Sequence, residues 1–179
     1  MFERTYNFFK QRTIQFKSLI LQVPESSTVD KVSSSFYDMY DAEMEKKWGD
    51  VVILSPYANS LPLLGWDFWY QLSEKIKSKG YSVYTNVYGK EREIRGTERL
   101  DMDLRDVFQI CSYCKAVVSY RSGFSDFIAF NHTLKHIVIS PNEFETSFSN
   151  VNMYGSDKIY NIVWDDAGSV VDRVCGIVD

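Results

Sequence analysis

Short apolar runs recur along this chain with room for one helix between each pair, and that rhythm restricts the fold more than any other feature. Val51-Val52-Ile53-Leu54 is continuous and apolar, as expected of a strand covered on both faces. Trp66, Trp69, Leu72 and Ile76 follow at helical spacing, and Lys77-Ser78-Lys79-Gly80 closes that helix with a basic last turn and a C-cap glycine. Tyr81 to Val87 alternates like a second strand. Asp101 to Cys114 reads as a helix opened by acids, Ala116 to Tyr120 as a strand, and Ser122 to about Leu134 as a helix. His136 to Ser140 and Ile159 to Trp164 complete five strands, and a short helix starts at Asp166. Strands alternating with helices of this length imply parallel βαβ units with right-handed crossovers. The fold class expected is α/β: a Rossmann-like parallel sheet of about five strands over residues 49–179.

Residues 1–48 have a different pattern. Phe2 to about Gln22 has helical spacing and stops at Val23-Pro24, and a second helix runs from Asp30 or Ser33 to Trp48. This helical extension has no sheet of its own, so it must pack on the following domain or on a missing partner.

In a parallel sheet the strand C-termini share one rim, and ligands bind there. Two strand ends carry chemistry. Ser55-Pro56-Tyr57-Ala58-Asn59-Ser60 follows the first strand. In Tyr120-Arg121-Ser122-Gly123-Phe124-Ser125-Asp126 a strand turns directly into a helix. Gly123 would allow close backbone approach or a positive φ. The helix N-terminus favours an anion, and Arg121 adds a planar fork for phosphate. Ser122 and Ser125 would cap the helix or donate to that anion. The structural alternative makes Ser122 a plain N-cap and pairs Arg121 with Asp126 or another acid. The chain contains neither a Walker sequence nor G-x-G-x-x-G.

With those residues in view, Val51 to Pro141 resembles the C-terminal half of bacterial GT-B glycosyltransferases, broadly the heptosyltransferase-like and fucosyltransferase-like groups of capsule and polysaccharide loci. The likeness rests on the Ser55–Ser60 loop, Phe68-Trp69, Gly80-Tyr81-Ser82-Val83, Gly96-Thr97 and, most distinctively, Arg121 to Asp126. The resemblance implies a donor-binding half for a nucleotide-sugar, with a nucleoside diphosphate sugar as donor substrate and no separate cofactor. By position it implies that Ser122, Gly123 and Ser125 meet the diphosphate and that Arg121 neutralises it. Gly96 and Thr97 would lie near the base or ribose, and Asn59 and Ser60 near the sugar or phosphates. It implies a glycan or lipid-linked acceptor and metal-independent transfer, since helix dipoles and basic side chains stabilise the leaving group. Such enzymes need two Rossmann domains, and the helical extension is too short to be the other. A fragment, one subunit of a split transferase with an acceptor-binding partner, and a degenerate binding protein are the options this leaves. Two other classes stay open. One is a non-catalytic nucleotide or sugar-phosphate binding module. The other is a small N-glycoside hydrolase or transferase on a flavodoxin-like fold, with Asp126 or Glu98 as its carboxylate.

Several features receive plainer readings. Asp101-Met102-Asp103 matches a metal-binding Asp-x-Asp literally but opens a helix, where acids serve the dipole. Asp165-Asp166 reads as an N-cap with an acidic first turn. Cys111 and Cys114 lie late on an apolar helix face and read as core thiols, because a redox pair belongs at a helix N-terminus. His132 and His136 lack a third ligand for zinc. Among the aromatic residues, Trp66 and Trp69 are assigned to the core, while Tyr57, Tyr84 and Tyr88 are placed to stack a base or sugar, Tyr57 foremost. A net charge of −4 argues against a sequence-independent nucleic-acid partner. Lys10, Arg12 and Lys17 interrupt the aromatic start, which has no signal-peptide h-region, so the chain is expected in the cytoplasm. Membrane association would come only from an interfacial role of that segment.

Overall fold

The computed structural model describes residues 42–59, 61–129, 131, 133–141 and 157–179. Both N-terminal helices except the last turns of the second lie outside them, as do Ser60 and His132. The described part begins with α1 (Ala42–Trp48), which delivers the chain to β1 (Val51–Ser55). The remaining elements are α2 (Trp66–Ser78), β2 (Ser82–Asn86), β3 (Glu98–Leu100), α3 (Leu104–Cys111), β4 (Ala116–Tyr120), α4 (Gly123–Ile128), β5 (His136–Ser140), β6 (Ile159–Val163) and α5 (Ala167–Val178). Among the described residues six strands form one sheet in the order β3-β2-β1-β4-β5-β6, and each pairing is parallel. This is the Rossmann-like α/β architecture expected, with a sixth strand.

Alternation along each strand splits the core into two layers. Val51, Ile53, Val117 and Val138 face α1, α3 and α4, against Trp48, Phe108, Cys111 and Ile128. Val52, Leu54, Val118, Ile137 and Ile139 face α2 and α5, against Trp69, Leu72, Ile76, Val170 and Val174. Both faces of β1, β4 and β5 are therefore buried, which explains their largely apolar sequences.

Three boundaries differ from expectation. The sheet has an edge strand at Glu98–Leu100, whose two exposed residues hid it from any apolar pattern. The helix expected from Asp101 starts at Leu104, because the Asp103 carboxylate accepts from the Arg105 and Asp106 amides and acts as N-cap. The helix expected to reach Leu134 ends at Ile128. Beyond it the buried Asn131 amide bonds Phe108 O and Ser112 Oγ, and its carbonyl accepts from the Thr133 and Leu134 amides, which fixes a turn. Cys111 and Cys114 are buried free thiols, and the hydrogen bond that the Cys111 thiol shares with Cys114, then burial, pushes it well above its ordinary range. Among the described residues no helix is long and apolar enough to cross a membrane.

Candidate functional site

The chain leaves β1 toward one edge of the sheet and β4 toward the other, so the loops after Ser55 and Tyr120 diverge. A crevice opens at such a switch point beyond the strand C-termini. Here it is a cleft of ≈ 620 Å³, within the range of small-molecule sites. Four strand ends build it. Ser55, Tyr57 and Asn59 come from β1, and Arg121, Ser122 and Gly123 from β4. Asn86, Tyr88 and Glu91 come from the β2 end, and Met102, Asp103 and Leu104 from the β3 end.

The β4 end is tightly self-contained. The Ser125 hydroxyl accepts from the Ser122 amide at 2.8 Å and donates to Ser122 O at 2.6 Å, while Ser122 Oγ accepts from the Ser125 amide at 3.4 Å. This capping box starts α4 and leaves Ser125 fully buried, away from the cleft surface. Arg121 Nη1 lies 2.7 Å from Asp126 Oδ1, with the two side chains only 18% and 25% exposed. The pairing that competed with anion binding in the sequence is therefore present. Gly123 is the first helical residue and is not among the positive-φ glycines; a Cβ there would enter open space facing the cleft. Beneath this segment, His136 is fully buried and shares a 2.8 Å hydrogen bond with Ser119 Oγ. Burial, and then the charge of Arg121, lowers its pKa to about 3, so the ring is neutral.

The opposite wall is held by long-range hydrogen bonds. The Tyr57 hydroxyl donates to Arg92 O at 2.9 Å and accepts from the Arg92 amide at 2.7 Å. Burial raises its pKa, so the phenol keeps its proton at neutral pH. Arg99 donates to Gly89 O and Glu91 O, each at 2.6 Å, and pairs with Asp101 at 2.8 Å. The Glu91 carboxylate accepts from the Tyr88 amide at 2.8 Å, and Asn86 donates to Ser55 Oγ at 3.2 Å. Gly89, at φ +61, makes the turn that presents Tyr88.

The site residues expected from sequence divide accordingly. Ser55, Tyr57, Asn59, Arg121, Ser122 and Gly123 meet in the cleft, with Asp126 just behind it on Arg121. Gly96 and Thr97 are not in its lining. Gly96 adopts φ +81, and Thr97 Oγ1 bonds Thr85 Oγ1 and Ile94 O before β3 begins. Ser60 lies outside the described residues. Trp66 corrects its core assignment. It opens α2 against Tyr57, with ring centroids 5.8 Å apart, and is 43% exposed. Asn86, Glu91, Met102 and Asp103 were missed: Asn86 ends β2 and Glu91 follows it in a stretch with no motif, while Met102 and Asp103 follow β3, whose end had no place on the rim without that strand. Glu98 sits in β3 beside Tyr84 and not on the cleft.

No protein-family profile and no curated protein matches the chain. Among solved structures, the E. coli heptosyltransferase WaaC with ADP matches 82% of this chain at a TM-score of 0.62 and 14% identity. The fold is GT-B-like. At that identity the likeness carries the fold alone. The match covers 49% of the WaaC chain, so this GT-B-like unit corresponds to about half of that structure.

Proposed function

We propose that this chain supplies the donor-binding half of a glycosyltransferase of polysaccharide or cell-surface glycan synthesis. In this reading the switch-point cleft takes a nucleoside diphosphate sugar. The observation that carries it is the cleft's position, between β1 and β4 with Arg121 in its lining, in a sheet that matches half of a heptosyltransferase crystallised with ADP. The Arg121 fork would contact the diphosphate and offset charge on the leaving group. Transfer would be metal-independent: Asp103 is committed to capping α3 and Asp101 to Arg99, so the Asp-x-Asp pair already has partners. Exposed Met102 and Leu104 at the mouth of the cleft support a covering acceptor-binding domain or subunit, which would bring a glycan or lipid-linked acceptor.

The test is a thermal-shift screen of the full chain against ADP, GDP, UDP, CMP and their sugar conjugates. It is repeated on Arg121→Gln/Asp126→Asn, which removes the ion pair without stranding one charge. A ligand at a hundred times its dissociation constant should add about 2.7 kcal/mol. One diphosphate that stabilises the parent and not the variant supports the reading; no shift with any of them overturns it.

One observation favours a second reading. The Glu91 carboxylate lines the cleft, where an N-glycoside hydrolase or transferase would need a nucleophile. Release of free base from a nucleoside or nucleotide, lost in Glu91→Gln, would establish that alternative. Binding with no turnover of any kind would leave a nucleotide-binding module.

A further inference from the structure

Beside the main cleft lies a second hollow of ≈ 460 Å³, lined by Tyr57, Trp66, Tyr88, Lys90, Glu91 and Arg92. Tyr57, Tyr88 and Glu91 belong to both, so the two adjoin. The second hollow's lining combines aromatic rings with two cations. Tyr88 is 81% exposed and Trp66 presents its ring beside Tyr57. Lys90 and Arg92, both exposed, form no ion pair among the described residues. The hollow is also held in shape. Tyr57 grips the Arg92 backbone through both its N–H and its carbonyl, Glu91 holds the Tyr88 amide, and Arg99 ties Gly89 and Glu91 from outside. The Arg92 backbone is thus fixed while its guanidinium remains available.

We propose that this hollow is a subsite for the ring of an acidic sugar. The aromatic faces would pack on the C–H face of a pyranose, Lys90 and Arg92 would take its carboxylate or other acidic substituent, and Glu91 would accept from its hydroxyls. The assignment rests on the glycosyltransferase reading, in which this ring belongs to the acceptor and sits next to the donor cleft.

The probes are tetragalacturonate, maltotetraose as an uncharged α-1,4-linked tetrasaccharide, and whichever nucleotide the thermal screen identifies. Each is titrated by calorimetry into the full chain and into Lys90→Ala/Arg92→Ala. Both side chains are exposed and Arg92 contributes to the loop through its backbone, so this variant should fold. Tetragalacturonate should bind at least about tenfold more tightly than maltotetraose, and the double variant should lose about that factor for the acidic probe alone. Nucleotide affinity should not change. Tyr88→Ala should weaken both saccharides. No binding of tetragalacturonate, or equal affinities before and after substitution, would overturn the proposal. Loss of nucleotide binding in the double variant would also overturn it, by assigning the hollow to the donor. If no nucleotide binds the parent protein, the donor reading fails while the saccharide titrations still test the hollow.

Discussion

The two walls of the cleft solve their hydrogen-bonding problems in opposite ways. On the β4 side, Arg121, Ser122, Ser125 and Asp126 satisfy one another within six residues of sequence, through a capping box and an ion pair. On the β2–β3 side the supports come from far along the chain: Tyr57 from 35 residues away, and Arg99 from beyond the loop it ties. That loop ends with two cations and an exposed ring uncommitted. A motif distinctive in sequence can therefore be distinctive because it builds a turn, while the groups still available to a ligand sit in a stretch with no motif at all.

The largest test of this contrast is acid. The β4 wall stands on His136, whose folded pKa of about 3 lies below its ordinary 6.5. Its contribution is fully present above about pH 6.5 and is lost as pH falls toward 3, because the unfolded chain binds the proton first. Between pH 6.5 and 4.5 the parent should lose roughly 2 kcal/mol through this group, at 1.36 kcal/mol per unit and with the unfolded imidazole already half protonated at the start. His136→Gln cannot titrate, so denaturant unfolding at the two pH values should show a smaller loss by about that amount. Equal losses would mean that the imidazole is not held neutral.

Removing the hub of the capping box comes next. Ser125→Ala leaves the Ser122 amide without its acceptor, and should destabilise the chain by roughly 1–2 kcal/mol. Thermal melts check this, and a neutral result would show that the box is not what starts α4. Tyr57→Phe is its counterpart on the other wall, where two hydrogen bonds to Arg92 disappear from a more exposed position. About 1 kcal/mol is expected, together with faster amide exchange over Tyr88–Ile94. Unchanged exchange there would sink the idea that the phenol shapes this wall.

Much of this fold was legible because burial on both faces writes itself into a parallel strand. β1, β4 and β5 are largely apolar runs, and each was placed close to its observed bounds. β3 escaped because only Leu100 of its three residues is buried; its existence is decided by pairing with Tyr84–Asn86, a long-range fact. The end of α4 escaped for a similar reason, since Asn131 turns the chain by reaching across to Phe108 and Ser112. At the site, Ser55, Tyr57, Asn59 and Arg121 could be placed from the strands they follow. Glu91 and Lys90 could not, because their position depends on Arg99 and Tyr57, whose partners no local pattern reveals. Gly96 stood out for its residue type, and its positive φ belongs to the turn into β3 and not to the cleft.

The smallest effect is the most discriminating for the β4 wall. Ser122 lines the cleft and also caps α4, so loss of ligand binding in an alanine variant alone would confuse the two roles. Glycine separates them. At an N-cap it costs only a few tenths of a kcal/mol where alanine costs about 1 kcal/mol, because an exposed backbone N–H can be solvated by water. Ser122→Gly should therefore melt close to the parent and Ser122→Ala a few degrees below it, since about 1 kcal/mol moves a midpoint by roughly 2–4 °C in chains of about this size. If the hydroxyl serves only the helix, nucleotide affinity in Ser122→Gly should equal that of the parent. If it also donates to a phosphate, affinity should fall in both variants by a similar factor while their melting points stay apart. The second result would return the β4 segment to the role its residue types suggest; the first would leave Arg121 as that segment's ligand contact.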